Sequence, residues 1–186
     1  HNVVQMIGVV TAGSPKYIVM EYCDYGCLDL YLHDLSTKMA DVSEAFQTML
    51  VVGIGVGMEY LESMSIVHRD LAARNILLDQ TLTAKVCDFG LSRCIGGEGY
   101  KIKEDDHRYY RMTHGANIPV RWTSPEALKG QKYTHASDVW SYGVVIWEIY
   151  TQGEAPYSDM TNEQVYMEVE LGLRLPRPEG CPEGLY

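Results

Sequence analysis

The chain has 186 residues, 46 % hydrophobic and 22 % charged, which is typical of a folded domain with one sizeable core and excludes disordered or fibrous chains. Its 15 basic and 25 acidic residues give a formal net charge of −10, which argues against a nucleic-acid partner and a basic membrane-binding patch. No apolar run reaches the roughly 18 residues of a membrane span, so we expect no span within the chain.

The first predicted elements are two antiparallel strands. Short β-branched runs, VVQMIGVV and YIVMEY, flank the segment TAGSPK, whose Gly, Ser and Pro residues are typical of a turn. After Gly26, leucines at positions 28, 32 and 35 have the spacing of a short helix. After Asp41 a longer apolar pattern predicts a second helix, and from there on the periodicity is more often helical than not.

The second helix contains the run GIGVG, with glycines at positions 53, 55 and 57. A phosphate-binding glycine loop is one interpretation, but the run neither follows a strand nor opens a helix, as such loops do. We therefore favour glycines at a close helix contact, where each costs about 1 kcal/mol relative to alanine.

Two more helices are predicted towards the C-terminal end. The segment DVWSYGVVIWEIY, from Asp138 to Tyr150, is apolar on nearly every side, which indicates a helix buried in the middle of the domain. The segment TNEQ, Thr161 to Gln164, has the spacing of a capping box. Gly172 followed by Pro176 provides a stop, so one more helix is expected between them.

The stretch from Ile66 to Gly90 places charged residues between apolar runs. Phosphoryl transfer to a hydroxyl requires a group that orients the attacking oxygen, oxygen ligands for Mg²⁺ and cations near the moving charge. Asp70 suits the position of the base and Arg74 that of the cation, while Asn75 and Asp88 suit metal ligation. Because NILL and AKVC flank the turn DQT, a small hairpin would bring the two aspartates and the asparagine to one edge.

Three motifs in this region resemble the signature set of protein kinases: HRDLAARN at 68–75, DFG at 88–90 and SPE at 124–126. The form LAARN is similar to protein tyrosine kinases in particular, and IPVRW at 118–122 agrees with it. The resemblance covers the whole chain and implies an enzyme that transfers the ATP γ-phosphate to tyrosine hydroxyls on proteins, using Mg²⁺ or Mn²⁺.

The resemblance also implies the fold. We expect an α+β, protein kinase-like chain that has a mainly helical C-lobe and a two-strand remnant of the N-lobe sheet. Residues 1–22 would form the end of the N-lobe and the start of the hinge. Residues 23–186 would form a C-lobe that is cut short at its C-terminus.

Carried over position by position, the family pattern assigns roles to individual residues. The catalytic residues would be Asp70 and Arg74, and the metal ligands Asn75 and Asp88. The remaining assignments are a gatekeeper, Met20; hinge groups facing the adenine, Glu21 and Cys23; a regulatory spine, Met6, Phe89 and His68, anchored to Asp138; the last residue of DFG, Gly90; a structural acid in SPE, Glu126; and a substrate platform, Pro119 and Trp122.

Regulation is implied by Arg69 and by the segment DDHRYYRMTHGANIPVRW. This segment resembles the tandem-tyrosine activation loop of receptor tyrosine kinases, the insulin receptor type especially, with the pair at Tyr109 and Tyr110. Phosphates on both would add about −3 to −4 charge and order the loop against Arg69. The alternative for Arg69 is a surface ion pair worth at most about 1 kcal/mol.

Other features limit the expected activity. The chain opens at His1 without a methionine, and no glycine-rich loop, strand lysine or helix glutamate precedes that residue. We therefore expect a fragment that is inactive alone. The arginine partner expected for Glu126 would lie beyond Tyr186.

Two other classes of function remain as alternatives. One is a pseudokinase that binds nucleotide or a partner without catalysis; the other is a truncated product that serves only as a docking surface. The order AAR rather than RAA favours a receptor over a cytoplasmic kinase. On that interpretation the chain would lie on the cytoplasmic side of a membrane, and phosphotyrosine-binding proteins would be among its partners.

The cysteines indicate the redox environment. The five include no Cys-x-x-Cys pair, and the close pair Cys23 and Cys27 has no histidine cluster beside it to complete a metal site. Reduced thiols in an intracellular chain are expected.

Overall fold

The computed structural model describes residues 1–95, 110–111, 118–130 and 132–186, with 110–111 as backbone only. Helices form most of the regular secondary structure of this part: α1 Leu28–Thr37, α2 Glu44–Ser63, α3 Pro125–Gly130, α4 His135–Tyr150 and α5 Asn162–Glu170. Two single turns of 3₁₀ helix add Ala73–Asn75 and Val120–Trp122. No helix among these residues has both the length and the apolar character that crossing a membrane requires.

The strands are short and pair in small antiparallel sheets. Their bounds are β1 Met6–Val10, β2 Tyr17–Met20, β3 Gly26–Cys27, β4 Ile66–Val67, β5 Ile76–Leu78, β6 Ala84–Val86, β7 Arg93–Cys94, β8 Tyr110–Arg111 and β9 Lys132–Tyr133. β3, β5 and β6 form one sheet with β5 in the centre, and the other strands pair as β1 with β2, β4 with β7 and β8 with β9. The α+β prediction, with a mainly helical body after an opening two-stranded hairpin, is confirmed.

The opening hairpin, β1 and β2, is largely exposed to solvent. β1 and β2 pair with Val10 opposite Tyr17, as the turn signals between the two runs predict. Because a two-stranded hairpin buries little apolar area by itself, most of its large side chains remain exposed: Met6, Ile7, Val9, Val10, Tyr17, Ile18, Val19 and Met20.

The main core lies between α2 and α4, with α1 and the β5–β6 hairpin packed against it. Leu50 and Ile54 on α2, and Val145 and Ile149 on α4, are each spaced four positions apart and are completely buried. α4 is the predicted central helix, but it begins at His135, earlier than the apolar pattern indicates. The reason is a capping box, in which Thr134 and the third residue of the helix exchange hydrogen bonds.

The glycines of α2 lie at close contacts, as we favoured. A Cβ atom on Gly57 would lie 2.5 Å from the backbone oxygen of Asn2 and 3.0 Å from a side-chain carbon of Val86. At Gly55 it would lie 3.0 Å from the hydroxyl of Tyr142 on α4. The missing side chains therefore let the N-terminal segment, β6 and α4 approach the helix.

The last predicted helix is also confirmed. Thr161 caps α5 by accepting the backbone N–H of Gln164, and the side-chain oxygen of Gln164 accepts the backbone N–H of Thr161. The chain leaves the helix at Gly172, whose φ of +108° is one that side chains rarely allow.

Candidate active site

The candidate site lies where the β5–β6 hairpin meets the loop that precedes it. β5 and β6 form the predicted hairpin. Beyond its end the N–H of Cys87 donates to the carbonyl of Asn75 at 2.9 Å, so Asn75 and Asp88 lie at the same end. The side-chain amide of Asn75 donates to the carbonyl of Asp70 at 2.7 Å. The chain positions of the predicted base, Asp70, and of the two predicted metal ligands, Asn75 and Asp88, therefore meet at one edge.

Asp138, on α4, binds the backbone at the start of the loop that precedes β5. Its two carboxylate oxygens accept the backbone N–H groups of His68, at 2.7 Å, and Arg69, at 2.9 Å. Burial raises the pKa of Asp138, and these two hydrogen bonds offset part of that effect. Arg69 has a φ of +72°, so this bidentate contact also stabilises a strained backbone.

The His68 ring lies between the loop and the DFG segment. The N–H of Asp70 donates to Nδ1 at 3.3 Å, which leaves Nε2 to donate to the carbonyl of Cys87 at 2.9 Å. The Phe89 ring meets His68 edge-on, with 5.5 Å between centroids. Met6, assigned to the same spine, lies in the exposed hairpin and is 62 % exposed.

Asp70 and Arg74, four positions apart in the chain, form an ion pair. The Arg74 guanidinium also lies over the Trp122 ring, 4.4 Å from its centroid. Trp122 belongs to the IPVRW segment, so the predicted base, cation and substrate platform form one continuous set of contacts.

Glu148, on α4, is a residue that the sequence analysis missed. Its Oε2 accepts the N–H of Ala73 at 2.9 Å and the indole N–H of Trp122 at 3.0 Å. Burial raises the pKa of Glu148 to about 7, while these two hydrogen bonds and the charge of Arg74 lower it in part. The only signal in the sequence is an acid near the C-terminal end of a mostly apolar helix.

DFG adopts a strained turn. Asp88 has a φ of +59°, and its carboxylate accepts the N–H of Gly90 at 3.1 Å. A Cβ atom on Gly90 would lie only 3.1 Å from that same carboxylate oxygen. Glycine thus leaves room for the Asp88 side chain.

The donor set fits a metal that is held largely by its substrate. Among the described residues no cluster of three or more His, Cys, Asp or Glu side chains forms a protein-only metal cage. Mg²⁺ commonly binds one or two carboxylates together with substrate phosphates and water. Asn75 and Asp88 suit that mode.

The predicted hinge follows β2 directly. Met20 ends β2, and the Glu21 N–H donates to the carbonyl of Gln5 at 3.0 Å, which leaves its carbonyl as the backbone group to face a base. The Glu21 carboxylate pairs with Lys85 at 2.9 Å, away from such a role. Cys23 is buried, and that burial raises its thiol pKa.

The substrate platform is tied to the loop before α5. Pro119 precedes the 3₁₀ turn Val120–Trp122. Within this turn, the Arg121 guanidinium donates to the carbonyls of Pro156, Tyr157 and Met160. A cavity of about 440 Å³ lies between the platform and this loop.

Arg69 is buried, with 4 % of its surface exposed. The surface ion-pair alternative for it is therefore wrong. Its guanidinium lies 4.9 Å from the ring centroid of Tyr133. The backbone of Tyr110 pairs with Tyr133 in the β8–β9 ladder, so one predicted regulatory tyrosine lies on the strand beside Arg69's aromatic partner. Tyr109 lies outside the described residues, and Glu126, at the start of α3, is exposed.

Comparison with known proteins identifies the family. A family model described as protein tyrosine and serine/threonine kinase matches residues 1–186, and the chain belongs to this family. It is 49 % identical to ephrin type-A receptor 7 of Gallus gallus, 46 % to ephrin type-A receptor 5 of Homo sapiens and 45 % to ephrin type-A receptor 4-B of Xenopus laevis.

Each of these matches covers 100 % of the chain but only 17 to 18 % of the relative's length. The relatives are receptors by name, of a different kind from the insulin receptor type that the tyrosine pair resembles. Members of the kinase family use ATP and a divalent metal, and the donor set of Asn75 and Asp88 suits the metal.

Proposed function

We propose that this chain is the catalytic-loop and substrate-platform part of a protein tyrosine kinase. In this proposal residues 1–22 are the end of the N-lobe and the start of the hinge, and residues 23–186 belong to the C-lobe. The observation that carries the proposal is the contact series from Asp70 through Arg74 to Trp122. It joins a base, a cation and a platform for the phenol within one site.

The chemistry follows from these positions. The Asp70 carboxylate accepts the proton of the substrate phenol as the phenolic oxygen bonds to the γ-phosphorus. The bond from that phosphorus to its bridging oxygen breaks, and ADP leaves. Arg74 stabilises the negative charge that develops during this transfer.

Asn75 and Asp88 would hold Mg²⁺ or Mn²⁺, which supplies charge neutralisation on the phosphates when bound. Met20, Glu21 and Cys23 would border the adenine, with the Glu21 carbonyl as acceptor. The relative positions of the catalytic loop and DFG would be fixed by His68, Phe89 and Asp138. Their mutual contacts support this role.

The experiment uses the natural polypeptide that carries this chain, ATP labelled at the γ-phosphate, and two peptides identical except for Tyr or Ser at one position. We expect label on the tyrosine peptide alone. Label on the serine peptide, or tight nucleotide binding with no transfer to either peptide, would refute the proposal. The second of these results would identify a pseudokinase.

Regulation by the tyrosine pair is part of the proposal. Phosphorylation of Tyr110 would place negative charge on β8, which pairs with β9 next to the aromatic partner of Arg69, and a phosphate on Tyr109 would add to the charge of the pair. Replacing both tyrosines by Phe should lower activity. The matched control replaces Tyr17 and Tyr60, which are 56 % and 55 % exposed, and should not lower it. Equal activities of the two double variants would contradict this role.

The receptor names of the relatives support a place for this chain on the cytoplasmic side, within a membrane receptor. Protein substrates with exposed tyrosines and phosphotyrosine-binding proteins are the partners that this function entails. Labelling of intact and permeabilised cells with an antibody against residues 1–22 tests the location, since only permeabilised cells should stain.

A further inference from the structure

One face of α4 supports two segments of the site, the catalytic loop at 68–75 and the substrate platform at 119–122. On α4, Asp138, Ser141 and Glu148 follow each other at spacings of three and seven positions, which places them on one side of the helix. Asp138 binds the start of the catalytic loop, and the Ser141 hydroxyl donates to the carbonyl of Trp122 at 2.7 Å. Glu148 is the member of this row that touches both segments.

The two donors that meet at Glu148 come from separate parts of the chain. The N–H of Ala73 belongs to the catalytic loop, between Asp70 and Asn75, and the indole N–H belongs to Trp122 of the platform. Both donate to the same oxygen, Oε2. A shift of the carboxylate would therefore move the loop and the platform together.

The polar contacts explain why a side chain with an acceptor oxygen occupies this position. Glu148 is only 5 % exposed, and its neighbours on α4, Ile146, Trp147 and Ile149, are buried and apolar. A buried carboxylate is costly unless hydrogen bonds compensate for the lost water. Here it accepts from one buried donor, the Ala73 N–H, and one partly buried donor, the Trp122 indole N–H, which an apolar residue would leave without an acceptor.

We propose that Glu148 is a positioning residue for phosphoryl transfer, one that fixes Arg74 and Asp70 by holding the Trp122 ring and the Ala73 backbone at one oxygen. The Trp122 ring lies under Arg74, and Arg74 pairs with Asp70. This inference rests on the proposed kinase function, and it adds a residue that touches neither ATP nor the phenol.

The test compares three variants in the natural polypeptide: Glu148→Gln, Glu148→Leu and Trp122→Phe. Gln keeps an oxygen acceptor, whereas Leu removes it. The Phe variant keeps an aromatic ring under Arg74 but removes the indole N–H. The matched control for Trp122→Phe is Trp147→Phe, which makes the same substitution at the buried position of α4 next to Glu148.

The readout is the single-turnover rate of phosphoryl transfer per folded molecule, together with the KM for ATP. Glu148→Leu should lower the rate by about 100-fold, the loss expected when a reacting group moves by about 1 Å, while the KM for ATP stays nearly unchanged. Glu148→Gln and Trp147→Phe should stay close to the unaltered protein. Trp122→Phe should slow the rate, and adding it to Glu148→Leu should cause little further loss, because both remove one shared contact.

Full activity of folded Glu148→Leu, or losses from Leu and Phe that simply multiply, would overturn the proposal. If the Leu variant does not fold, the contrast between Trp122→Phe and Trp147→Phe decides, and equal rates for these two would overturn it. Hydrogen exchange at the Ala73 amide is a readout that does not need activity. Exchange that is slow in the unaltered protein and fast in Trp122→Phe or Glu148→Leu supports the coupling, whether or not phosphate is transferred. Absence of phosphate transfer in the unaltered protein would refute the kinase function but not the coupling.

Discussion

The buried carboxylate of Glu148 should make stability depend on pH in a way that one substitution removes. Burial raises its pKa from 4.5 to about 7, so the folded protein keeps this proton at a pH where the unfolded chain has lost it. Stability therefore falls as pH rises from about 4.5 to about 7, and the loss is complete above that range. Glutamine cannot titrate, so Glu148→Gln avoids the loss.

The magnitude follows from the two pKa values. Each pKa unit corresponds to about 1.36 kcal/mol, and integrating between about pH 5 and about pH 8 gives about 2.5 kcal/mol. Glu148→Gln should gain this much stability relative to the unaltered protein over that interval. The gain is a difference between two proteins, so groups that they share, such as Asp138, cancel.

Urea denaturation of both proteins at the two pH values measures the gain. The hydrogen bonds that Gln forms in place of Glu set a constant offset and do not change with pH. If the free-energy difference between the two proteins is the same at both pH values, Glu148 does not titrate with a raised pKa, and the reasoning from its burial is wrong.

Three further predictions, which use four substitutions, test the fold and the support of the loop. Gly57→Ala should destabilise the protein by about 1 to 3 kcal/mol, because its Cβ would lie 2.5 Å from the Asn2 backbone oxygen. Its control, Gly143→Ala on α4, meets nothing within 4 Å and should stabilise the protein by about 1 kcal/mol. Thermal denaturation measures both changes, and two changes of the same sign would contradict this prediction. Thr161→Ala should cost about 1 kcal/mol by removing the α5 cap, measured by urea denaturation, and no change would mean that the capping box is not needed. Asp138→Ala should speed hydrogen exchange at the two loop amides it binds, and unchanged exchange would count against its role.

Helices and motifs were predictable because their signals are local. The apolar period of α4, the capping box of α5 and the two runs around DQT each specify an element within a short window of sequence. The motif residues around Asp70 follow from resemblance, and the hairpin then explains why they meet. The start of α4 was misplaced because Thr134 caps it through a polar contact that an apolar pattern does not contain.

Contacts between distant positions were not predictable in the same way. Glu148 binds donors that lie 75 and 26 positions away, so no local pattern marks it. The burial of Arg69 likewise depends on tertiary structure, including its contact with Tyr133, and a sequence pattern alone allows a surface ion pair there. Both are ionisable residues in the interior, where composition and periodicity predict apolar ones.

The most direct test of the central claim is phosphate transfer by an Asp70→Asn variant of the natural polypeptide. The matched control is Asp34→Asn, because Asp34 pairs with Lys38 at the same four-residue spacing, but on the exposed surface. We expect Asp70→Asn to lose at least about 100-fold in transfer to a tyrosine peptide, with nucleotide binding nearly intact, while Asp34→Asn stays active. An Asp70→Asn variant that transfers phosphate as fast as the control would contradict the account.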